Sequence, residues 1–134
     1  MKLIPYLYFN GNAEAAMNFY QEVLGGEIGH ISRYSEAPMP MDEADKDKVM
    51  HSNFQFEGNM IMVSDTPTGK EVNENGNIQL SIDLDSVDRI NELFPKMAKG
   101  GIITMELQDT FWGARFGMMK DKFGIGWMFN VDKK

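Results

Sequence analysis

His51 is the side chain of this sequence best suited to moving protons near neutral pH. It lies in an alternating run over 50–57, with Asn53 and Gln55 on its own side of a strand and Met50, Phe54 and Phe56 on the other. An imidazole titrates close to physiological pH, and a carboxylate beside it completes a general acid–base pair. Glu106 and Asp65 are the carboxylates best placed to meet it. A second group is Phe111-Trp112-Gly113 with Arg115. There, aromatic rings would wall a ligand and a guanidinium would clamp an anionic or carbonyl group. Both groups also have plainer explanations. His51 suits a polar wall that hydrogen-bonds ligand or water, and Phe111 and Trp112 suit a hydrophobic plug at a turn beside an exposed arginine. His30 reads as a strand residue near the surface.

Composition narrows the chemistry. The 134 residues include no cysteine, which removes disulfides, thiolate catalysis and cysteine-ligated metal. That composition is compatible with a reducing cytoplasm, the location expected here. Net charge is −7, and no stripe of Lys and Arg is visible, so a nucleic-acid partner is not expected. A cationic or neutral small molecule suits this field better. No apolar run is long enough for a signal core or a membrane span. Twelve methionines are many for this length; they fit either gap-filling in a core or a soft, adaptable pocket wall.

The elements that must position these residues come in two sets. The first set starts with a strand over 3–9 and a turn at Asn10-Gly11, with Asn12 as a helix cap. Ala13, Ala16, Met17, Tyr20, Val23 and Leu24 then recur at helical spacing, and Gly25-Gly26 ends the helix. Strands follow over 27–34, 50–57 and 60–65. The intervening 35–48 segment is a loop, with room for a short helix over 42–48 and for a lid role. The polar stretch 66–76 reads as a linker. The pattern then repeats: a strand over 77–84, Ser86 as cap, and Val87, Ile90, Phe94, Met97 and Ala98 at helical spacing. Gly100-Gly101 closes that helix, and strands follow over 102–107, 115–120 and 125–131. Pro95 should kink or restart the second helix.

The expected fold is therefore α+β, built as tandem βαβββ modules over 1–65 and 77–134. Each has a four-stranded mixed sheet with one helix, and a cleft is expected between the sheets. Alternation without continuous apolar runs means that each sheet covers a core on one face. The other faces carry His51, Asn53, Gln55, Met62, Asn77, Gln79, Glu106, Met128 and Asn130, a mixture of polar groups and methionines that suits a ligand cleft.

This duplication resembles the vicinal oxygen chelate superfamily of glyoxalase I, extradiol dioxygenases and bleomycin-resistance proteins, and within it the PhnB-like branch. The residues that carry the resemblance are Pro-Tyr-Leu-Tyr-Phe-Asn-Gly-Asn-Ala-Glu-Ala-Ala over 5–16, Phe-Tyr-x-x-x-Leu-Gly-Gly-Glu over 19–27, Met50-His51, Phe111-Trp112-Gly113 and Asp-x-Phe-Gly-x-x-Trp over 121–127. They span essentially the whole chain. In the superfamily's enzymes, metal ligands, usually His and Glu, stand on the first and last strands of each half. The resemblance lands those positions on Pro5, Met62, Asn77 and Met128. Proline has no ligating side chain, and thioether and amide groups are poor donors to hard or borderline divalent ions. No metal and no cofactor are therefore expected.

What the resemblance implies is a metal-free, acidic homodimer that binds or sequesters a small molecule. The alternative is a metal-independent lyase, isomerase or hydrolase using His51 with Glu106 or Asp65. The expected ligand contacts are Asn53, Gln55, Met62, Asn77, Gln79, Phe111, Trp112, Arg115, Met128 and Asn130. A methyltransferase reading has no support, since no Gly-x-Gly-x-Gly loop follows a strand.

Overall fold

Among the described residues, two amphipathic α-helices and nine strands form because the apolar residues recur with two different periods. The computed structural model describes residues 1–73 and 78–133. The chain divides into two compact units, Met1–Asn73 and Glu74–Lys134.

In the first unit, β1 (Tyr6–Phe9) leads to α1 (Ala13–Leu24), then β2 (Glu27–Ile28), β3 (Ser32–Arg33), β4 (Val49–Phe56) and β5 (Asn59–Asp65). The sheet order is β1-β5-β4-β2, and β3 also pairs with β4. β1 runs parallel to β5 while the other pairings are antiparallel, so the sheet is mixed. α1 buries Ala13, Ala16, Met17, Tyr20 and Val23 against Phe9, Phe54, Ile61 and Val63. Tyr20 and Phe54 meet at 6.5 Å between ring centroids. Truncating a ring as buried as Phe54 would cost about 3–5 kcal/mol.

The second unit repeats the plan. It has β6 (Leu80–Leu84), α2 (Val87–Ala98), β7 (Ile102–Asp109), β8 (Ala114–Lys120) and β9 (Gly126–Asp132), in sheet order β6-β9-β8-β7. β6 is parallel to β9 and the rest is antiparallel. α2 buries Ile90, Leu93, Phe94 and Met97, and the sheet answers with Met119, Trp127, Phe129 and Val131. Phe94 meets Phe129 edge-on at 5.8 Å. The approach is close: a Cβ at Gly117 would stand 2.6 Å from the Phe94 ring.

The α+β class with mixed sheets and one helix per unit is thus the architecture observed, with local departures from the sequence pattern. The strand expected over 27–34 is two short pieces, and Gly29 N just after the first still donates to Asn53 O at 2.8 Å. β1 starts at Tyr6, and Leu3 is 98% exposed. Helix α2 runs through Pro95 without restarting. Pro95 faces solvent, so the Asn91 carbonyl that loses its intrahelical donor is on the wet side. The stretch expected to link the modules begins by folding back on the first unit. Thr66 N donates to Phe9 O, and the Asn10 side chain holds both N–H and C=O of Val72.

The helix caps differ as well. Ser86 accepts from Arg89 N as expected. Asn12 makes no side-chain cap bond. Asp65 does that work instead: its Oδ1 accepts from Gly11 N and Ala13 N, and its Oδ2 accepts from Val49 N. A buried carboxylate at a helix N-terminus satisfies the orphan donors and complements the positive end of the helix.

Candidate functional site

Pairing register decides which residues share a face. In the first sheet, Tyr6 lies beside Met62, which lies beside Asn53. One step on, Tyr8 lies beside Ser64. Ile61 and Val63 of β5 and Ser52 and Phe54 of β4 are buried on the helix side. The open face therefore carries Tyr6, Tyr8, His51, Asn53, Gln55, Met60, Met62 and Ser64. His51, Asn53, Gln55 and Met62 were nominated from the sequence; the two tyrosines were not. Their signal was present in the alternation Tyr-Leu-Tyr of β1, which puts Tyr6 and Tyr8 on one face.

Tyr6 and His51 form the chemical centre of this face. The Tyr6 hydroxyl and His51 Nδ1 are 3.0 Å apart, and the rings sit 5.7 Å apart. Tyr6 also packs on Tyr8 at 5.0 Å. Tyr6 is 39% exposed and Tyr8 53%, so both rings offer a face to an incoming molecule. Partial burial of the phenol raises the Tyr6 pKa above the usual 10.0, and neighbouring Tyr8 adds to this. The Tyr6 phenol is neutral at neutral pH and can donate or accept, so the direction of its hydrogen bond with His51 follows the imidazole tautomer.

Neither carboxylate nominated as a partner for His51 fills that role within this unit. Asp65 lies on the helix side of β5 and spends its oxygens on three backbone N–H groups, so it is a structural clamp. Glu106 belongs to the second unit, where it is exposed on β7. His30 is exposed in the break between β2 and β3.

In the second sheet, Met105, Met118, Met128 and Ser81 form one cross-strand row, and Gln108, Phe116, Asn130 and Asp83 form the next. Trp127, Phe129 and Met119 are buried on the helix side, so Met128 and Asn130 are on the open face. Gln79 carries a buried Oε1 with no hydrogen-bond partner among the described residues. Its side chain lies over Gly126, where a Cβ would stand 3.0 Å from Gln79 Cγ. Asn77 falls outside the described residues. Phe111 (97% exposed) and Trp112 (50%) tip the β7–β8 turn, and Trp112 leans on Phe116 at 6.0 Å.

Arg115 stands apart from these rings. Val131, its partner in β9, is buried on the helix side, and Arg115 Nε donates to Asn91 Oδ1 of α2 at 2.7 Å. Its Nη1 pairs with Asp109 at 3.2 Å. The guanidinium thus joins helix to sheet. Strand parity puts it on the face opposite Phe116, Met128 and Asn130.

The Asp-x-Phe-Gly-x-x-Trp motif also has a structural explanation. Asp121 Oδ1 accepts from Phe123 N and Ile125 N, and Oδ2 accepts from Trp127 Nε1 at 2.8 Å. The motif closes the β8–β9 turn and pins the largest core ring to it.

The positions that the superfamily resemblance would assign to metal ligands do not suit a hard divalent ion. Pro5 gives its carbonyl to Met62 N, and Met62 and Met128 offer thioethers. Among the described residues no group of three or more His, Asp or Glu side chains is arranged to hold a metal. No helix among them is long and apolar enough to cross a membrane.

Known proteins share this construction. The sequence profile described as 3-demethylubiquinone-9 3-methyltransferase matches residues 1–129. Protein YjdN of Escherichia coli (strain K12) is 34% identical over 145 residues, covering 100% of this chain and 97% of that one. The structure of PA1353 from Pseudomonas aeruginosa is 34% identical with a TM-score of 0.90, covering 100% and 99% of the two chains. The PhnB protein from Bacillus cereus is 30% identical with a TM-score of 0.83, covering 98% and 99%. With that profile matched over residues 1–129 and relatives of 30–34% identity covered almost end to end, the chain belongs to the PhnB-like family whose profile bears the description 3-demethylubiquinone-9 3-methyltransferase.

Proposed function

We propose that this protein is a vicinal-oxygen-chelate-type member that binds a small, planar, neutral or cationic molecule without a divalent metal, as a homodimer. The observation that carries the proposal is the Tyr6–Tyr8–His51 cluster on the open face of the first sheet. Two partly exposed tyrosines present π-faces that stack on planar ligands and attract cations. The hydrogen-bonded imidazole and the Asn53 amide supply the directional contacts. A net charge of −7 favours the approach of a cation over an anion. Dimerisation is supported by edge strand β7, which leaves Ile102 and Ile103 exposed at the margin of the sheet.

A second activity is supported by one specific contact. The Tyr6 hydroxyl and His51 Nδ1 are hydrogen-bonded at 3.0 Å, so an acid–base reaction on this face would use the Tyr6–His51 pair in place of a histidine–carboxylate pair. The methyl transfer in the family's description finds no support in the sheets. Both are mixed with one helix each, unlike the doubly wound parallel sheet that cradles a nucleotide cofactor.

The test is a thermal-shift screen of planar neutral and cationic compounds. A ligand of the native state must raise the melting temperature. Hits that Tyr6→Ala and Tyr8→Ala abolish support the site; hits indifferent to both place binding elsewhere and sink the proposal. If a hit is turned over, unchanged turnover in His51→Ala removes the acid–base reading.

A further inference from the structure

We propose that the open face of the second sheet binds a soft monovalent metal ion, of the Cu(I) class, through the thioethers of Met105, Met118 and Met128. The inference does not use the Tyr6–His51 face, and each can fail alone.

Three independent features meet here. The first is register. Met105 pairs with Met118 and Met118 pairs with Met128, on three adjacent strands. Directly opposite residues hold their Cβ atoms about 4.5–5.5 Å apart, so three thioether arms start within mutual reach of one ion. The second is placement. Met17, Met97 and Met119 are fully buried and fill the cores, which is the ordinary use of methionine. Met118 and Met128 are only partly buried, and Met105 is exposed, on the face that no helix of this unit covers. The third is the backbone. Irregularities in the β7 register flank Met105 on both sides, and such bulges re-aim a side chain.

Donor chemistry selects the ion. Thioethers prefer soft Cu(I) over the hard and borderline divalent ions that His and carboxylate ligands suit. The rest of the row is neutral Ser81, and the next row holds neutral Gln108, Phe116 and Asn130 with Asp83 at its end. Lys120 stands one row away on the same face, and its positive charge opposes a divalent ion more than a monovalent one. The overall negative charge draws cations of either kind to the chain.

The test uses Ag(I) as a redox-inert stand-in and then Cu(I) under anaerobic conditions with a colorimetric chelator as competitor. The full chain carries 13C-labelled methionine methyl groups. The expected result is one ion per chain, with the methyl resonances of Met105, Met118 and Met128 shifting together. Met118→Leu keeps side-chain volume and fold. It should weaken binding about tenfold or more, the scale on which even an outer-shell change at a metal site acts. Met39→Leu, at an exposed loop position, is the control and should leave binding unchanged. The proposal is overturned if no ion binds, if shifts follow exposure so that Met39 and Met41 move as much as the row, or if Met118→Leu binds within about tenfold of the parent.

Discussion

Tyr6 and His51 come from strands forty-five positions apart in the chain, and their contact exists because β5 lies between β1 and β4 in the sheet. The strongest prediction at this scale concerns the Tyr6 proton. Burial holds its pKa above 10.0, so ultraviolet titration of the parent should include a late-ionising phenol that Tyr6→Phe lacks. A folded value above the unfolded one means that this stabilisation is present below pH 10.0 and is lost as pH rises through the folded pKa. Asp45 behaves in the opposite sense. It receives Lys48 Nζ at 2.8 Å, Thr68 N and the Thr68 hydroxyl, and these contacts lower its pKa from 3.8 to about 2. The tie between the 35–48 loop and Thr68 should hold fully above pH 3.8 and loosen as pH falls through about 2. Amide exchange at Thr68 followed down the acid range checks this, and Asp45→Asn should show the loosened behaviour at neutral pH.

Each helix ends on a glycine pair, and the two members of a pair do different work. Gly25 has φ 74° with nothing within 4 Å of a built Cβ, whereas at Gly26 that Cβ would stand 2.2 Å from the Gln55 carbonyl oxygen. Gly25→Ala should therefore cost only the strain of its positive-φ backbone, about 1–3 kcal/mol. Gly26→Ala must also displace β4 and should cost clearly more, by about 2 kcal/mol or above, on the scale of overpacking. Denaturant unfolding of the two variants gives the comparison, and equal losses would contradict the close-approach account. Gly101 repeats the geometry against the Lys120 carbonyl oxygen at 2.2 Å. At this scale much was readable beforehand. Helical spacing, the glycine stops and strand alternation placed α1, α2, β4 and β5 close to where they lie. The short strands β2 and β3 were not separable, because each pairs with a different stretch of β4 and that register is a long-range choice.

For the whole molecule, the repeated βαβββ plan gives each unit one face sealed by its helix and one left open. The proposed homodimer predicts a sedimentation mass of twice 15.2 kDa. Ile103→Lys should move the population towards the monomer by placing a charge on the exposed β7 edge, since edge lysines oppose strand pairing. A parent protein that sediments as a monomer at all concentrations would refute the proposed dimer.

The sequence by itself determined the α+β class, the repeat and the side of each strand on which His51, Asn53, Met62, Met128 and Asn130 stand. Periodicity and turn residues are local, and strand parity follows from the chain's own geometry. Only the tertiary structure decided the partners. It gave His51 a tyrosine, and it turned Asp65 into a clamp on three backbone N–H groups. It bound Arg115 to Asn91 on the helix side, and it aligned three methionines across three strands. Those contacts depend on strand order and register, which are long-range choices that no local spacing encodes.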